Sequence, residues 1–244
     1  MERTEWLKHM REKAEALYDH FAPLYWVVWG LGEGGAYREF LQKFLVRIAP
    51  HSTLLSAGCG AGQWDGVLLG VGHTVVGIDQ SLGMLARARE HFPAIRYQKM
   101  GLQEMDFHAA FDGIICVDAL EHIFPEEWPG ILQGFRDALK PGGVLYFTVD
   151  LADGDDVPGA YERAKALGLP VVFGEVADRV DEAYEQMMAL EAGTLPDGEV
   201  ADASVYHYHP SLEQVRTWLE QTGLTLEDEG AGEGYEHFVV RKSA

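Results

Sequence analysis

Residues 54–64 read LLSAGCGAGQW. A short apolar run passes directly into three glycines at alternate positions, Gly58, Gly60 and Gly62, and helical spacing resumes at Trp64. A strand that ends in a glycine turn and opens a helix gathers backbone N–H groups and a positive dipole end at one point. Positions without side chains let a ligand come close to the main chain. The stretch therefore predicts a site for a nucleotide-like molecule. Asp79 closes the next apolar run, HTVVGID, about twenty residues on, where a carboxylate can accept both hydrogen bonds of a ribose diol. The spacing is not that of the dinucleotide fingerprint GxGxxG, because the third glycine comes one residue early and Gln63 stands in its place.

Outward from this loop, strand-like and helix-like segments alternate. SLGMLARAREHF reads as an amphipathic helix capped by Ser81. AIRYQKM and FDGIICV are two further strands, the second nearly all apolar and so buried on both faces. PEEWPGILQGFRDALK supplies a helix ending at a Pro-Gly-Gly turn, and GGVLYFTVD a fifth strand. This order argues for a parallel sheet covered by helices on both faces. The tail differs. SLEQVRTWLEQTGL is a helix with Ser211 and Gln214 spaced as a capping box. LTLEDEGAGEGYEHFVVRK then reads as two strands joined by a glycine-rich turn, which must be antiparallel.

The composition narrows the function. The 244 residues suit one domain of ordinary size. Lys and Arg number 19 against 39 Asp and Glu, a net charge of −20, which would repel nucleic acid and an anionic membrane surface. No apolar stretch is long enough to span a bilayer, and the opening MERTEWLKHMREKAEALYDHF mixes charges at helical spacing unlike a secretory signal, so a cytoplasmic location is expected. Much of the acid lies between Asp150 and Asp202, where it can keep a surface segment soluble. Cys59 and Cys116 have no metal-ligand spacing and form no disulfide framework.

Four segments, LLSAGCGAG, VVGIDQSLGMLARAR, FDGIICVDALEHI and LKPGGVLYFTV, stand in the order and spacing of the class I S-adenosylmethionine-dependent methyltransferases. The resemblance is dense from about Leu45 to Val149, and is closest to the small-molecule branch that includes the quinone-biosynthesis C- and O-methyltransferases. It implies an α/β, Rossmann-like sheet of seven strands in the order 3-2-1-4-5-7-6 with strand 7 antiparallel, which the terminal hairpin fits. A single domain is expected: a helical lid over 1–50, a donor-binding core over 51–150, an acceptor-side helical insertion over 151–204, and a terminal helix and hairpin over 205–244.

The same resemblance implies S-adenosylmethionine as donor and S-adenosylhomocysteine as product. It places Gly58, Cys59, Gly60 and Gly62 along the methionine part of the donor, Asp79 at the ribose, and Gln80 and Met84 beside the adenosine. Leu102 and Gln103 border the adenine, and Val117 and Asp118 lie beneath the methionine chain. The segment before the first strand commonly closes over the donor in this family, so Tyr18 and Tyr25 are expected to contact donor or acceptor. Two positions depart from the pattern. Ser56 stands where the family usually has an acid, and Gly101 where it often has an aspartate for the adenine amine.

Methyl transfer from a sulfonium mainly needs acceptor, methyl and sulfur held in line, and a base only when the acceptor arrives protonated. His122, just after the fourth strand, is the candidate base, or else a brace for its loop, with Glu121 beside it holding backbone. In VYHYHP, His207 and His209 share one strand face, suited to packing or pocket lining, and without a third ligand at metal spacing. Phe21, Tyr25 and Trp29 form a stripe on a helix interrupted by Pro23, as core or lid; aromatic faces there favour a sulfonium or a cationic acceptor. In the insertion, VPGAYERAKALGLP and VDEAYEQMMALEAG read as two helices, with Met187, Met188 and Leu190 on an apolar side. The expected function is methyl transfer to a small-molecule acceptor. The alternatives are donor binding without catalysis, aminopropyl transfer and, on the glycine turn alone, nicotinamide-dependent redox chemistry.

Overall fold

The computed structural model describes residues 1–28, 30, 35–152, 157–177 and 206–243. Its centre is a seven-stranded sheet of β1 (Thr53–Ala57), β2 (Thr74–Asp79), β3 (Arg96–Lys99), β4 (Phe111–Cys116), β5 (Leu139–Val149), β8 (Leu224–Gly232) and β9 (Tyr235–Lys242). The order is β3-β2-β1-β4-β5-β9-β8. Strands β1 to β5 run parallel, and β9 lies antiparallel between β5 and β8. This is the order that the resemblance implies. The hairpin strands carry higher numbers only because the two-residue strands β6 (Glu175–Val176) and β7 (His207–Tyr208) form a separate small sheet.

Alternation along each strand builds a core on each face. Leu55, Ile114, Leu145, Phe147, Phe238 and Val240 point one way, onto α6 (Trp128–Ala138) and α8 (Leu212–Thr222). Leu54, Ile115, Val144, Tyr146 and Val239 point the other way, onto α3 (Gly35–Leu45), α4 (Asp65–Gly70) and α5 (Leu82–His91). On the first face Trp128 stacks on Trp218 with ring centres 5.1 Å apart, joining α6 to α8. Helix α8 begins with the reciprocal Ser211–Gln214 cap and ends at Gly223, whose φ of 69° only glycine adopts at little cost. Among the described residues no helix is long and apolar enough to cross a membrane.

The amino-terminal segment divides. Helix α3 is a layer of the fold, with Tyr37, Phe40, Leu41 and Phe44 buried against the sheet, rather than part of a lid. Helices α1 (Arg3–Phe21) and α2 (Tyr25–Val28) are the part that overlies the carboxyl edge of the strands. They are separate helices with Pro23 between them, so the expected stripe is broken after Phe21; Trp29 lies outside the described residues. So do Met187, Met188, Leu190 and the second insertion helix, while the first is α7 (Val157–Ala166). Helix α1 is tied down at both ends. Arg3 pairs with Glu126 and Glu175, and Arg11 with Glu127. Near its carboxyl end the Asp19 carboxylate accepts from the Ser81 hydroxyl at 2.5 Å and from the Gly83 N–H at 2.7 Å.

Ser81 thus caps α5, accepting from the Met84 N–H at 3.0 Å, while its own proton holds α1. Replacing Ser81 with Ala should lower the unfolding free energy by about 1–2 kcal/mol, the usual loss for an N-cap. Asp19→Ala should cost a similar amount. Because the two side chains share one hydrogen bond, urea unfolding of the double variant should show less than the sum of the two losses.

Candidate functional site

The three glycines of the loop have φ of 65°, 52° and 86° at Gly58, Gly60 and Gly62, and the first two show different uses. A Cβ at Gly58 would lie 2.6 Å from the Cβ of Ala119, so the loop can pass the β4 turn only without a side chain. A Cβ at Gly60 would meet nothing closer than Gln63 Oε1 at 3.6 Å and the Tyr25 ring at 3.9 Å. The space beside Gly60 is open, and it belongs to a cavity.

That cavity, about 790 Å³ with its open mouth, lies between the strand ends and α1. Asp79, Gln80 and Met84 form one wall, Gly101, Leu102 and Gln103 another, and Tyr18, Tyr25 and Met10 the roof. The Asp79 carboxylate accepts from the N–H groups of Gly60 and Ser81, each at 2.8 Å. Burial raises its pKa and these backbone bonds oppose the rise. Each carboxylate oxygen has a second acceptor direction, so the ribose role is open to it. The Gln103 amide lies back across Gly101, where a Cβ would come within 2.4 Å of Nε2. The amide therefore fills the space of the aspartate that the sequence lacks.

A second cavity, about 1100 Å³ with its mouth, lies toward the other end of the loop. It shares Tyr18, Tyr25, Gly58, Gly60, Asp118 and His122 with the first, and adds Ser56, Cys59, Val117, Tyr37, Glu121, His207 and Tyr235. Gly62 lies on neither wall, because it packs against Phe92 and the Tyr97 hydroxyl on the far side of the loop. Its place in the site is conformational. The Cys59 side chain is likewise mostly turned into the core beside Gly77.

Asp118 has a φ of 50°, outside the region most residues adopt. Thr148 holds it there: its hydroxyl accepts from the Asp118 N–H at 2.9 Å and donates to Oδ1 at 3.1 Å. The Tyr37 hydroxyl donates to the same oxygen at 2.8 Å. Among the described residues Oδ2 takes no such bond. Enclosure by the protein pushes the Asp118 pKa up to about 6, against the pull of both hydroxyls.

His122 sits in a 3₁₀ turn, Leu120–His122. Its Nδ1 is 3.2 Å from the Tyr206 carbonyl oxygen and its Nε2 is 2.6 Å from the Tyr18 hydroxyl. A carbonyl only accepts, so Nδ1 carries the proton, and Nε2 then accepts from Tyr18. The tautomer follows from these partners. The two histidines of the VYHYHP segment separate: His207 lines the second cavity 5.0 Å from the His122 ring, whereas His209 is buried beside Asp150, 3.2 Å from Oδ2.

One residue went unnoticed in the sequence. Asp65, in the first turn of α4, is fully buried. Burial pushes its pKa up to about 6, although the Ser56 and Tyr97 hydroxyls approach it and pull the other way; neither of its oxygens has a hydrogen bond of full geometry. It brings an acid next to Ser56, the position where an acid was missing. The signal was a lone carboxylate in QWDGVLL, one turn after the glycines. Because its folded pKa lies above the ordinary value, the native state holds a proton that the unfolded chain releases between about pH 4 and 6. Asp65 therefore costs stability as pH rises through that window. Asp65→Asn should raise stability at pH 7.5, by up to about 3 kcal/mol, and thermal unfolding should show the gain vanish near pH 4.

Residues 54–143 match the family model described as a methyltransferase domain. A ubiquinone biosynthesis O-methyltransferase from Histophilus somni is 34% identical over 105 residues, 39% of this chain and 43% of that protein. A trans-aconitate 2-methyltransferase from Acidovorax is 25% identical over 227 residues, 89% of this chain and 75% of that one. The chain spans about half the length of the first curated relatives it matches. Among solved structures, the 1,6-didemethyltoxoflavin-N1-methyltransferase of Burkholderia thailandensis, with its substrate and S-adenosylhomocysteine bound, aligns with a TM-score of 0.62. It is 19% identical, and the alignment covers 96% of this chain and 90% of that one.

Proposed function

We propose that this chain, whose core is a class I S-adenosylmethionine-dependent methyltransferase domain, moves a methyl group from that donor to a small molecule in the second cavity. The observation that carries the reading is the junction of the two cavities at Tyr18, Tyr25, Gly60, Asp118 and His122. The donor fits the first cavity by the open face of Gly60 and the spare acceptor directions of Asp79. Asp79 would hold the ribose, Gln80, Met84, Leu102 and Gln103 the adenosine end, and Gly58, Gly60 and Asp118 the methionine end, with Val117 beyond it on the wall of the second cavity. S-adenosylmethionine supplies an electrophilic methyl carbon on a sulfonium. The relatives' names cover different acceptors, which supports a small-molecule acceptor without choosing one.

The chain's own work is alignment and proton handling. Fixing two reactants in line is worth roughly 7–11 kcal/mol of barrier. Where the acceptor carries a proton, Tyr18 lies between it and His122. The Tyr18 oxygen takes the acceptor's proton as its own passes to His122 Nε2 across 2.6 Å. The Tyr206 carbonyl keeps Nδ1 protonated, which leaves Nε2 as the site that receives.

Gly60→Val should leave a folded protein and abolish S-adenosylhomocysteine binding, because the new side chain fills the open space at the loop. Asp79→Ala should weaken it by about 1.5–3 kcal/mol per lost charge-assisted bond. Unchanged dissociation constants for both, by calorimetry, would show that the loop does not hold the donor.

His122→Ala and Tyr18→Phe should each slow methyl transfer by about 10²–10⁴-fold with donor affinity near wild type. The combined variant should be little worse than either. The losses should shrink with acceptors that have no proton to give up. If His122 only braces its loop, donor affinity and thermal stability fall together and acceptor acidity makes no difference.

A further inference from the structure

The His122 ring is placed by hydrogen bonds to two elements far apart in the sequence. Tyr18 on α1 donates to Nε2, and the Tyr206 carbonyl, just ahead of β7, accepts from Nδ1. Strand β7 is a short support for that carbonyl. Its ladder to β6 pairs only His207 with Val176 and Tyr208 with Glu175. The Tyr206 side chain supplies a second support. Its ring is buried, with Phe124 and Trp6 edge-on at centre distances of 4.9 and 5.9 Å. Its hydroxyl donates to Glu175 Oε1 at 2.7 Å.

Glu175 is fully buried and lies on neither cavity wall. Its carboxylate is an acceptor on every side. Oε1 also accepts from Arg3 Nη2 at 2.7 Å, and Oε2 accepts from the Val172 N–H at 2.6 Å and Arg3 Nη1 at 3.0 Å. Arg3 opens α1, the helix that carries Tyr18. One ion pair therefore joins both partners of His122, Tyr18 through α1 and the Tyr206 carbonyl through the Tyr206 hydroxyl. A buried ion pair adds little stability over apolar packing of the same shape, but its directed bonds fix a geometry. Which imidazole nitrogen carries the proton is set by the bond that the ring makes to a partner of this kind. We infer that Glu175 is a positioning residue for the proton transfer. Held by Arg3, it fixes Tyr206 so that the carbonyl keeps the proton on His122 Nδ1 and leaves Nε2 to receive. The role rests on the reading of His122 as the group that takes up the acceptor's proton, and extends it to an acid outside both cavities.

Proton–nitrogen correlation spectra of protein labelled with ¹⁵N at histidine test this, recorded without ligand in alkaline buffer, where the imidazoles are neutral. The His122 signals are those that His122→Ala removes. The wild type should show one tautomer, with the proton on Nδ1. Glu175→Gln puts an amide among donors only, and Tyr206→Phe removes the hydroxyl alone; each should turn that single form into a mixture of both tautomers. If Glu175→Gln does not fold, Tyr206→Phe decides. Gly223→Ala is the control, because it strains the distant end of α8, where φ is 69°, and should lower the melting temperature without moving the His122 signals. A wild-type proton on Nε2, an unchanged single tautomer in the folded variants, or the same mixture in the control overturns the inference. The reading of His122 itself fails in a different measurement, if methyl transfer survives His122→Ala.

Discussion

The Asp79 carboxylate joins two backbone segments that would otherwise be independent. One oxygen accepts from Gly60 in the loop after β1 and the other from Ser81 at the start of α5. Beneath them the Cys59 N–H donates to the Ile78 carbonyl. Because both donors are backbone groups, the carboxylate fixes where the chain runs, and Gly60 is held with its bare side toward the cavity. Ser81 then caps α5 and takes hold of Asp19 on α1. A single half-buried acid thus sets the glycine loop, a helix start and the roof over both. Its own burial is costly, as the upward shift of its pKa shows, and two charge-assisted backbone bonds offset part of that cost.

Asp79 is one of three acids with raised pKa values near the glycine loop. Asp65, Asp79 and Asp118 all have raised pKa values, each with burial as the leading cause. Clustered carboxylates in a ligand-free protein lower its stability, and a chain selected for stability alone would not keep them. Asp79 and Asp118, which line the cavities, are understandable beside a ligand with positive charge, whereas Asp65 lies on neither wall. The proposed donor carries a sulfonium and an ammonium, so the two acids on the walls, which weaken the empty protein, favour its loaded form. Asp118 is also held at an unusual φ by Thr148, which places backbone strain at the meeting point of the cavities.

Much of this was legible in the sequence, for identifiable reasons. The parallel strands could be read because runs such as FDGIICV are apolar on both faces, and the terminal hairpin because two strands so close must be antiparallel. The walls of the first cavity are local to those strand ends, and Gly58, Gly60, Asp79, Gln80, Met84, Leu102 and Gln103, singled out by motif, stand together on them. What sequence could not supply was contact across distance. The bond between Tyr18 and His122 joins residues 104 positions apart, and no periodicity encodes it. The role of α3 was misread because its amphipathic pattern is that of any helix packed on a sheet. Asp65 was missed because an acid in a first helical turn looks like an ordinary favourable end charge. Gly62 was read as a ligand contact, whereas crowding by Phe92 and Tyr97 explains it.

The central claim is that the first cavity takes S-adenosylmethionine rather than a dinucleotide. Calorimetric titration of the wild-type chain with S-adenosylhomocysteine and, separately, with NADH tests it most directly. The account predicts one molecule of S-adenosylhomocysteine bound per chain and no response to NADH. Binding of NADH with no response to S-adenosylhomocysteine would contradict it.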